Sequence, residues 1–249
     1  EQVQDIVREC ARHGTPFVAR GSGTGLAGGA TPIDGAVVVC LSKMNRILSV
    51  DVASRLAWVE PGVLNLDVTR HTERFGLHFA PDPSSQQSCS IGGNVANNSG
   101  GPHCLADGVT AAHVIALEVV LPDGSVVVLG DEAPLDDGLD LRGAFVGSEG
   151  TLGIITEVTL RMHPIPETIS SAVCGFATLQ GAVDTVVQSI QSGVPLARAD
   201  GLPSLNATAT ETEYVRQNPA STTDMPRMVT AIGTLTVPLY SGGGVKNAI

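Results

Sequence analysis

Glycines and short hydroxyl side chains are concentrated near the N-terminus, in RGSGTGLAGGATP at residues 20–32. Residues 23–28 read GTGLAG, a formal match to the GxGxxG pattern of dinucleotide-binding helices. That pattern requires its last glycine to lie within a helix that packs on a sheet. Gly28, Pro32 and Gly35 leave no room for such a helix, so the sequence predicts a loop. The backbone N–H groups of such a loop can line a concavity that suits a diphosphate.

Two further stretches have the same chemical character. APDPSSQQSCSIGGNVANNSGGPH at residues 80–103 is too rich in Pro, Ser, Asn and Gly for a regular element, and long ordered loops are usually functional. GSEGTLGII at residues 147–155 places a third glycine loop before an apolar strand. A single loop of this kind often only connects two strands. Three of them, each beside an apolar strand, favour one long ligand held by several peptide segments.

The charge balance limits which partners fit. The chain has 14 Lys and Arg against 25 Asp and Glu, a formal net charge of -11, and its basic residues form no run. This composition argues against nucleic acid and anionic membranes as partners. A bound phosphate must therefore be held mainly by backbone N–H groups, with Arg20 as the one cation within the first glycine loop.

Cysteine spacing and hydropathy indicate the compartment. The five cysteines are odd in number and include no CxxC pair, so they are expected to be reduced and mostly buried thiols. No apolar run reaches the length of a membrane-spanning helix, and the first residues have no signal-peptide pattern. The sequence thus predicts a cytoplasmic protein without a transmembrane segment.

Hydrophobic periodicity predicts an alternation of helices and strands. An amphipathic helix opens the chain, a second runs over about 63–75 and stops at Gly76, and a third covers 179–193. The sequence VIALEVVLPDGSVVVLG predicts a hairpin in which Asp123 and Gly124 both take positive φ. Further strands are expected at 16–20, 35–41, 47–51, 56–62 and 153–162.

RGSGTGLAGG, APDPSSQQSCSIGGNVANNSGG and GSEGTLGIITEVTLR, in this order, closely resemble the FAD-binding domain of the vanillyl-alcohol oxidase/p-cresol methylhydroxylase flavoproteins. The closest resemblance is to the branch of glycolate oxidase FAD subunits and D-2-hydroxyacid dehydrogenases, and it covers residues 1–199. It implies an α+β fold, the two-subdomain PCMH-type FAD-binding fold over 1–163, with subdomains of about 1–45 and 46–163. Residues 164–199 would be the truncated start of a substrate-cap domain. Residues 200–249, rich in Thr, Ser and Pro, are expected to form an irregular tail.

The resemblance also implies which residues contact FAD, and none of these contacts is covalent, because the first loop offers Ser22 and Thr24 where some relatives carry a histidine. The residues that would wrap the pyrophosphate are Arg20, Gly21, Ser22, Gly23, Thr24 and Gly25. Those that would approach the flavin and its ribityl chain are Pro81, Asp82, Ser84 and Ser85, continued by Gly92, Gly93, Asn94, Asn97 and Ser99. Those that would meet the adenine end are Glu149, Gly153, Ile154 and Ile155.

The implied function is FAD-linked oxidation of a 2-hydroxyacid of the glycolate or D-lactate type, with electrons passing to an iron–sulfur subunit or a quinone. Relatives place their catalytic groups in the C-terminal half, often around a divalent metal, whereas this chain has no histidine after His163. The sequence therefore assigns no catalytic residue and no metal ligand, and the catalytic half is expected to be missing.

His103 is the histidine most worth testing, with a loop-stabilising hydrogen bond favoured over proton transfer. The chain departs from the family pattern at Asp107, near which relatives often carry an aromatic residue or a histidine.

Two other functions stay open. The chain could be a catalytically silent flavin-binding or interaction subunit, or part of an FAD oxidase of a sugar or alcohol, because an FAD domain carries little substrate information.

Overall fold

The computed structural model describes residues 1–130, 138–167, 170–193 and 233–239, and the chain divides into two compact units, Glu1–Pro166 and Glu167–Ile249. The sequence-based boundary at 163/164 lies next to this division. Within the described residues no helix combines the length and the apolar character needed to cross a membrane.

The first unit begins with a small helix-and-strand lobe. Helix α1 (Gln2–His13) turns its buried residues Val3, Val7 and Cys10 inward and ends at Gly14, whose φ of 62° is the left-handed conformation common after helices. Strands β1 (Phe17–Arg20) and β2 (Val37–Cys40) pair in parallel. No helix lies between them, which confirms that the first glycine stretch is a loop.

The rest of the first unit is built around a five-stranded antiparallel sheet with the strand order β3-β4-β8-β6-β7. The elements in chain order are β3 (Ile47–Asp51), β4 (Leu56–Val59), α2 (Asn65–Thr72), β5 (Leu77–His78), α3 (Ile91–Asn97), α4 (Cys104–Asp107), β6 (Val114–Val120), β7 (Val126–Gly130), α5 (Leu141–Phe145), β8 (Ile154–Arg161) and β9 (His163–Pro164). A 3-10 turn, Glu73–Phe75, extends α2 to Gly76.

Two hydrophobic cores hold these elements together. The main core joins one face of the sheet to α2 and α3, through residues such as Val59, Val68, Ile91 and Leu117. A second core lies under α1 and includes Val7 and Ile154, so it connects the small lobe to the end of the sheet. Burying each such side chain contributes roughly 1.5–3 kcal/mol. The glycine loops leave the strands beside this second core.

Two sequence-based expectations need correction. The stretch 80–103 was expected to contain no regular element, but α3 forms within it because Ile91 and Val95 are fully buried in the main core, which offsets the low helix propensity of its glycines. In the hairpin, Gly124 has a φ of 78° but Asp123 does not have a positive φ. The N–H of Gly124 donates to the carbonyl of Leu121 (2.8 Å), as in a type I turn with Pro122 at its second position.

The second unit contains β10 (Ser170–Phe176), α6 (Leu179–Gln191) and β11 (Gly233–Leu239), and β10 pairs with β11 in antiparallel fashion. The side chain of Thr178 caps α6 by accepting from the N–H of Gly181 (3.1 Å), and Gly193 ends it with a φ of 72°, as the sequence predicted. The expectation of an irregular tail over 200–249 lies mostly outside the described residues. Within that range, Gly233–Leu239 is a strand.

Candidate functional site

The three glycine-rich stretches converge on one cleft in the first unit, with a volume of about 380 Å³. The sequence-predicted residues that line it are Arg20, Gly21, Ser22, Gly23, Thr24, Gly25, Ser84, Ser85, Gly92, Gly93, Asn94, Asn97, Ser99, Glu149, Gly153 and Ile155. These residues are up to 135 positions apart in the chain, from Arg20 to Ile155. The fold therefore assembles what the sequence could only place in separate loops.

Two serine side chains fix the first loop, one from the second stretch and one from the segment after β2. The N–H of Ser22 donates to Oγ of Ser90 (3.3 Å), and Oγ of Ser42 donates to the carbonyl of Gly21 (3.3 Å). A β-carbon at Gly21 would collide with Oγ of Ser90, so glycine permits this close approach.

The second stretch is fixed where α3 begins. The N–H of Gly92 donates to the carbonyl of Pro61, and the N–H of Ile91 donates to that of Val63, both at 2.8 Å. A β-carbon at Gly92 would lie 2.6 Å from Cβ of Pro61. Gly92 therefore lets α3 approach the segment after β4 and form one wall of the cleft.

The third loop is attached to the C-terminal end of α3. The N–H groups of Gly147 and Glu149 donate to the carbonyls of Val95 (2.9 Å) and Ala96 (2.8 Å). Glu149 has a φ of 53°, which is uncommon for a residue with a side chain, and its carboxylate lies beside Gly29 of the first loop. The carboxylate thus stands at the cleft between the first and third loops.

Several hydrogen-bond donors in the cleft lack a protein acceptor. The side chain of Asn94 is buried, with 2% of the residue exposed, and its Nδ2 has no partner in the part of the chain that the structure describes. Within the same part we find no acceptor for the backbone N–H groups of Gly23, Thr24 and Gly25. For the buried Nδ2 of Asn94, the missing acceptor costs about 1–3 kcal/mol, which a ligand that supplies an acceptor would recover. The N–H groups of Gly23, Thr24 and Gly25 are exposed, so they bear no such cost but are accessible to a ligand. FAD, with its diphosphate and many carbonyl and hydroxyl oxygens, fits this donor set.

Positive charge in the cleft comes from Arg20, whose guanidinium lies against Gly23. Arg20 also faces Cys40, its neighbour in the β1–β2 pair. Hydrogen bonds from Ser42, with a smaller contribution from Arg20, lower the pKa of the exposed Cys40 thiol. Cys10 and Cys89 are buried, whereas Cys40 and Cys174 are exposed and Cys104 is intermediate, so the expectation of mostly buried thiols is wrong.

Three of the sequence-predicted residues do not line the cleft. Ile154 is buried in the core under α1, and the carbonyl of Pro81 accepts from Nδ2 of the buried Asn65 (3.0 Å). The carboxylate of Asp82 pairs with Nδ1 of His103 (2.5 Å). The contact between Asp82 and His103 joins the two ends of the second stretch just before α4, and it is the loop-stabilising bond expected for His103.

The sequence reasoning missed other cleft residues, including Leu41, Pro61 and Ser90. Ser90 lies inside the quoted second motif, so its position there was an available signal. Pro61 and Leu41 follow ordinary strands, and only their contacts with Gly92 and with the core under α1 reveal their place in the wall.

A histidine cluster lies near Asp107. Nε2 of His113 is 2.8 Å from the carbonyl of Asp107 and therefore donates to it, so Nδ1 of the neutral ring accepts from Nε2 of His163 (3.1 Å). Burial lowers the pKa of both rings, as it does for His78 beside them. Among the described residues, no group of three or more His, Cys, Asp or Glu is arranged to hold a metal ion.

The two-core α+β fold and a cleft lined by loop amides define a cofactor-binding domain, and comparison with known proteins specifies the cofactor. The family described as "FAD binding domain" matches residues 1–130, and the chain belongs to this family. A solved structure of alkyldihydroxyacetonephosphate synthase has a TM-score of 0.71 at 24% identity, over 79% of this chain and 36% of that one. The α+β PCMH-type FAD-binding fold and FAD as cofactor, both predicted from sequence, are thereby confirmed.

Curated relatives carry names from the expected branch. The chain is 40% identical over 211 residues to the glycolate oxidase subunit GlcD of Escherichia coli K12, covering 85% of this chain and 42% of the relative. It is 42% identical over 195 residues to GlcD of Bacillus subtilis 168, covering 78% and 42%. It is 39% identical over 189 residues to D-lactate dehydrogenase of Anaerostipes hadrus, covering 76% and 40%. The chain thus spans less than half the length of these relatives.

Proposed function

We propose that this chain is the FAD-binding part of an FAD-linked oxidoreductase that oxidises a 2-hydroxyacid of the glycolate or D-lactate type. The single observation that carries the cofactor assignment is the convergence of three separate loops on one cleft that contains the unpaired Nδ2 of Asn94. The names and the identity of the curated relatives support the substrate class. In such an enzyme, FAD supplies the redox chemistry by accepting a hydride equivalent from the α-carbon of the substrate.

The residues of this chain bind and orient the cofactor. The N–H groups of Gly23, Thr24 and Gly25 and the guanidinium of Arg20 would hold the diphosphate. Nδ2 of Asn94 would donate to an oxygen or ring nitrogen of the cofactor. The remaining predicted residues would contribute cleft shape and further hydrogen bonds, and the first loop contains no histidine for a covalent link, so the proposed binding is noncovalent.

Asn94 gives the sharpest test of the cofactor proposal. Replacing it with leucine removes an unpaired buried donor, so the cofactor-free protein should unfold at an equal or higher urea concentration than the wild type. The same change should weaken FAD binding about tenfold, about 1.4 kcal/mol, in a titration followed by flavin fluorescence. These two effects have opposite signs, which a merely structural asparagine would not show.

Asn65 provides the matched control, because it is equally buried but its Nδ2 is bonded to the carbonyl of Pro81. Asn65→Leu should lower the stability of the cofactor-free protein, because the partner carbonyl is left unpaired. If Asn94→Leu also lowers that stability and leaves FAD affinity unchanged, the assignment of Asn94 is wrong.

Release of FAD by acid precipitation would verify that the cofactor is not covalently bound.

Substrate and partners are tested separately by turnover of the FAD-loaded protein with glycolate, D-lactate, sugars and alcohols, using a dye as electron acceptor. Oxidation of a 2-hydroxyacid supports the proposal, and oxidation of a sugar or alcohol supports the corresponding alternative. FAD binding without turnover fits both a part that lacks its catalytic half and a silent flavin-binding subunit, and turnover restored by adding the C-terminal half of a relative would exclude the silent subunit. An iron–sulfur subunit or a quinone as electron acceptor and a cytoplasmic location are parts of the same proposal. GlcD is named as a subunit, which supports the search for partner chains.

A further inference from the structure

The large sheet packs only one of its faces on the main core. Paired residues of an antiparallel sheet point to the same side, so Glu118 of β6 shares the opposite side with its partners Glu157 and Val128. One end of this side is covered by α1, which packs on Val120 and Ile154. We call the remainder the outer face, and it includes Trp58, Glu118, Val126, Val128, Glu157 and Thr159, together with Ser49, Ala116 and the cation Arg161 at the end of β8.

Carboxylates stand side by side across the centre of the outer face. Glu118 and Glu157 are direct cross-strand partners, an arrangement in which like charges destabilise a sheet. Glu60, at the end of β4, brings a third carboxylate to the same row, and burial together with Glu118 and Glu60 raises the pKa of Glu157. The outer face therefore carries a cluster of carboxylates whose mutual repulsion destabilises the pairing of β6 with β8.

The available cations do not neutralise this pair. Arg46 is bound to Glu60, through its Nη2 (2.7 Å) and Nε (3.1 Å) on Oε1. Glu118 accepts a hydrogen bond from Oγ1 of Thr156 (2.8 Å), which carries no charge. In the described ranges, no Lys, Arg or His forms an ion pair with Glu118 or Glu157. Arg161 lies four residues beyond Glu157 on β8 but forms no ion pair with it, so neither carboxylate has a cationic partner among the described residues.

Apolar groups border the carboxylates on the same face. Val128 is 69% exposed and Val126 is 41% exposed, and Trp58 is partly exposed on β4. An indole beside two carboxylates is a combination that binds a Lys or Arg side chain, because the ring and the charges both attract a cation. The exposed valines would at the same time cover the apolar part of an amphipathic segment.

We propose that the outer face docks a basic amphipathic segment of a second polypeptide, with a Lys or Arg side chain between Glu118 and Glu157 and apolar side chains on Val126 and Val128. Charge complementarity selects this occupant. A second copy of this chain would bring the same carboxylates, and the formal net charge of -11 opposes self-association. The proposal is independent of the cofactor and substrate assignments.

Trp58 makes the test direct, because it is the only tryptophan of the chain. The probe is a synthetic helical peptide of Leu and Lys, compared with a Leu and Glu peptide of the same pattern. The Leu–Lys peptide should shift the Trp58 emission saturably and protect the indole from acrylamide, whereas the Leu–Glu peptide should do neither. Absence of saturable binding, or equal binding of both peptides, would overturn the proposal.

Variants then localise the binding. Glu118→Gln with Glu157→Gln should weaken the Leu–Lys peptide tenfold or more, while the unfolding free energy stays equal or rises because like charges are removed. Asp34→Asn with Glu73→Gln changes the net charge equally at exposed sites of the first unit that are not part of the outer face, and should leave the affinity within twofold. Equal weakening by both double variants would show attraction to the whole acidic protein instead. A concentration-dependent Trp58 shift without peptide would identify a second copy as the occupant and refute the proposal.

Discussion

Replacing Gly92 and Gly93 by alanine, one at a time, measures how closely α3 packs on the cleft wall. Both glycines lie in the same helix, where alanine is favoured over glycine by about 1 kcal/mol, so this helix effect is common to the two variants. The steric surroundings differ. A β-carbon at Gly92 meets Cβ of Pro61 at 2.6 Å and its carbonyl oxygen at 3.1 Å, and the proline ring cannot rotate away. At Gly93 the nearest group is Oγ of Ser90 at 3.2 Å, which can rotate.

Forcing an extra methyl group into a packed contact costs about 1–3 kcal/mol. Gly92→Ala should therefore be less stable than Gly93→Ala by about 1–3 kcal/mol, and Gly93→Ala should equal or exceed the wild type. The assay is equilibrium urea unfolding of the cofactor-free proteins, followed by Trp58 fluorescence. If the unfolding free energies of the two variants agree within about 0.5 kcal/mol, the usual scatter of such comparisons, then α3 does not pack closely on Pro61. The description of this wall of the cleft would then be refuted.

Two further predictions concern titratable side chains. Because burial lowers the folded-state pKa of His113 and His163 below the unfolded value of about 6.5, the unfolded state binds more protons, and urea stability should fall as the pH drops from 7.5 to 5.5. His163→Gln should flatten that fall, and an unchanged slope would contradict the role of the pair. Because the Cys40 pKa is lowered and the thiol is exposed, iodoacetamide should label Cys40 well before Cys10 and Cys89 in peptide mass spectra. Cys40→Ser should remove the fast labelling of that site and leave the exposed Cys174 to react at its own rate; early labelling of Cys10 would refute this prediction.

Sequence patterns predicted most elements because those signals are local. The apolar stripe of α1, the strands beside the loops and the glycine stop after α6 each depend on residues within a few turns of one another. Helix α3 was missed for a tertiary reason. Its glycines and asparagines favour a loop, and only the burial of Ile91 and Val95 makes the helix stable. The hairpin turn was mispredicted because Pro122 suits a type I turn better than a turn centred on Asp123 and Gly124.

The amino-acid sequence by itself determined that three stretches of this protein are rich in glycine, serine and asparagine, whose small side chains let the backbone approach a ligand closely. It also determined the family, through the order of those three motifs. Only the tertiary structure decided that the loops meet in one cleft, that Pro81, Asp82 and Ile154 lie outside its lining, and that Asn94 is left without a partner. The tertiary structure likewise made Glu118 and Glu157 direct cross-strand partners. Such facts depend on contacts between residues distant in the chain, and the packing of the sheet and helices fixes those distances.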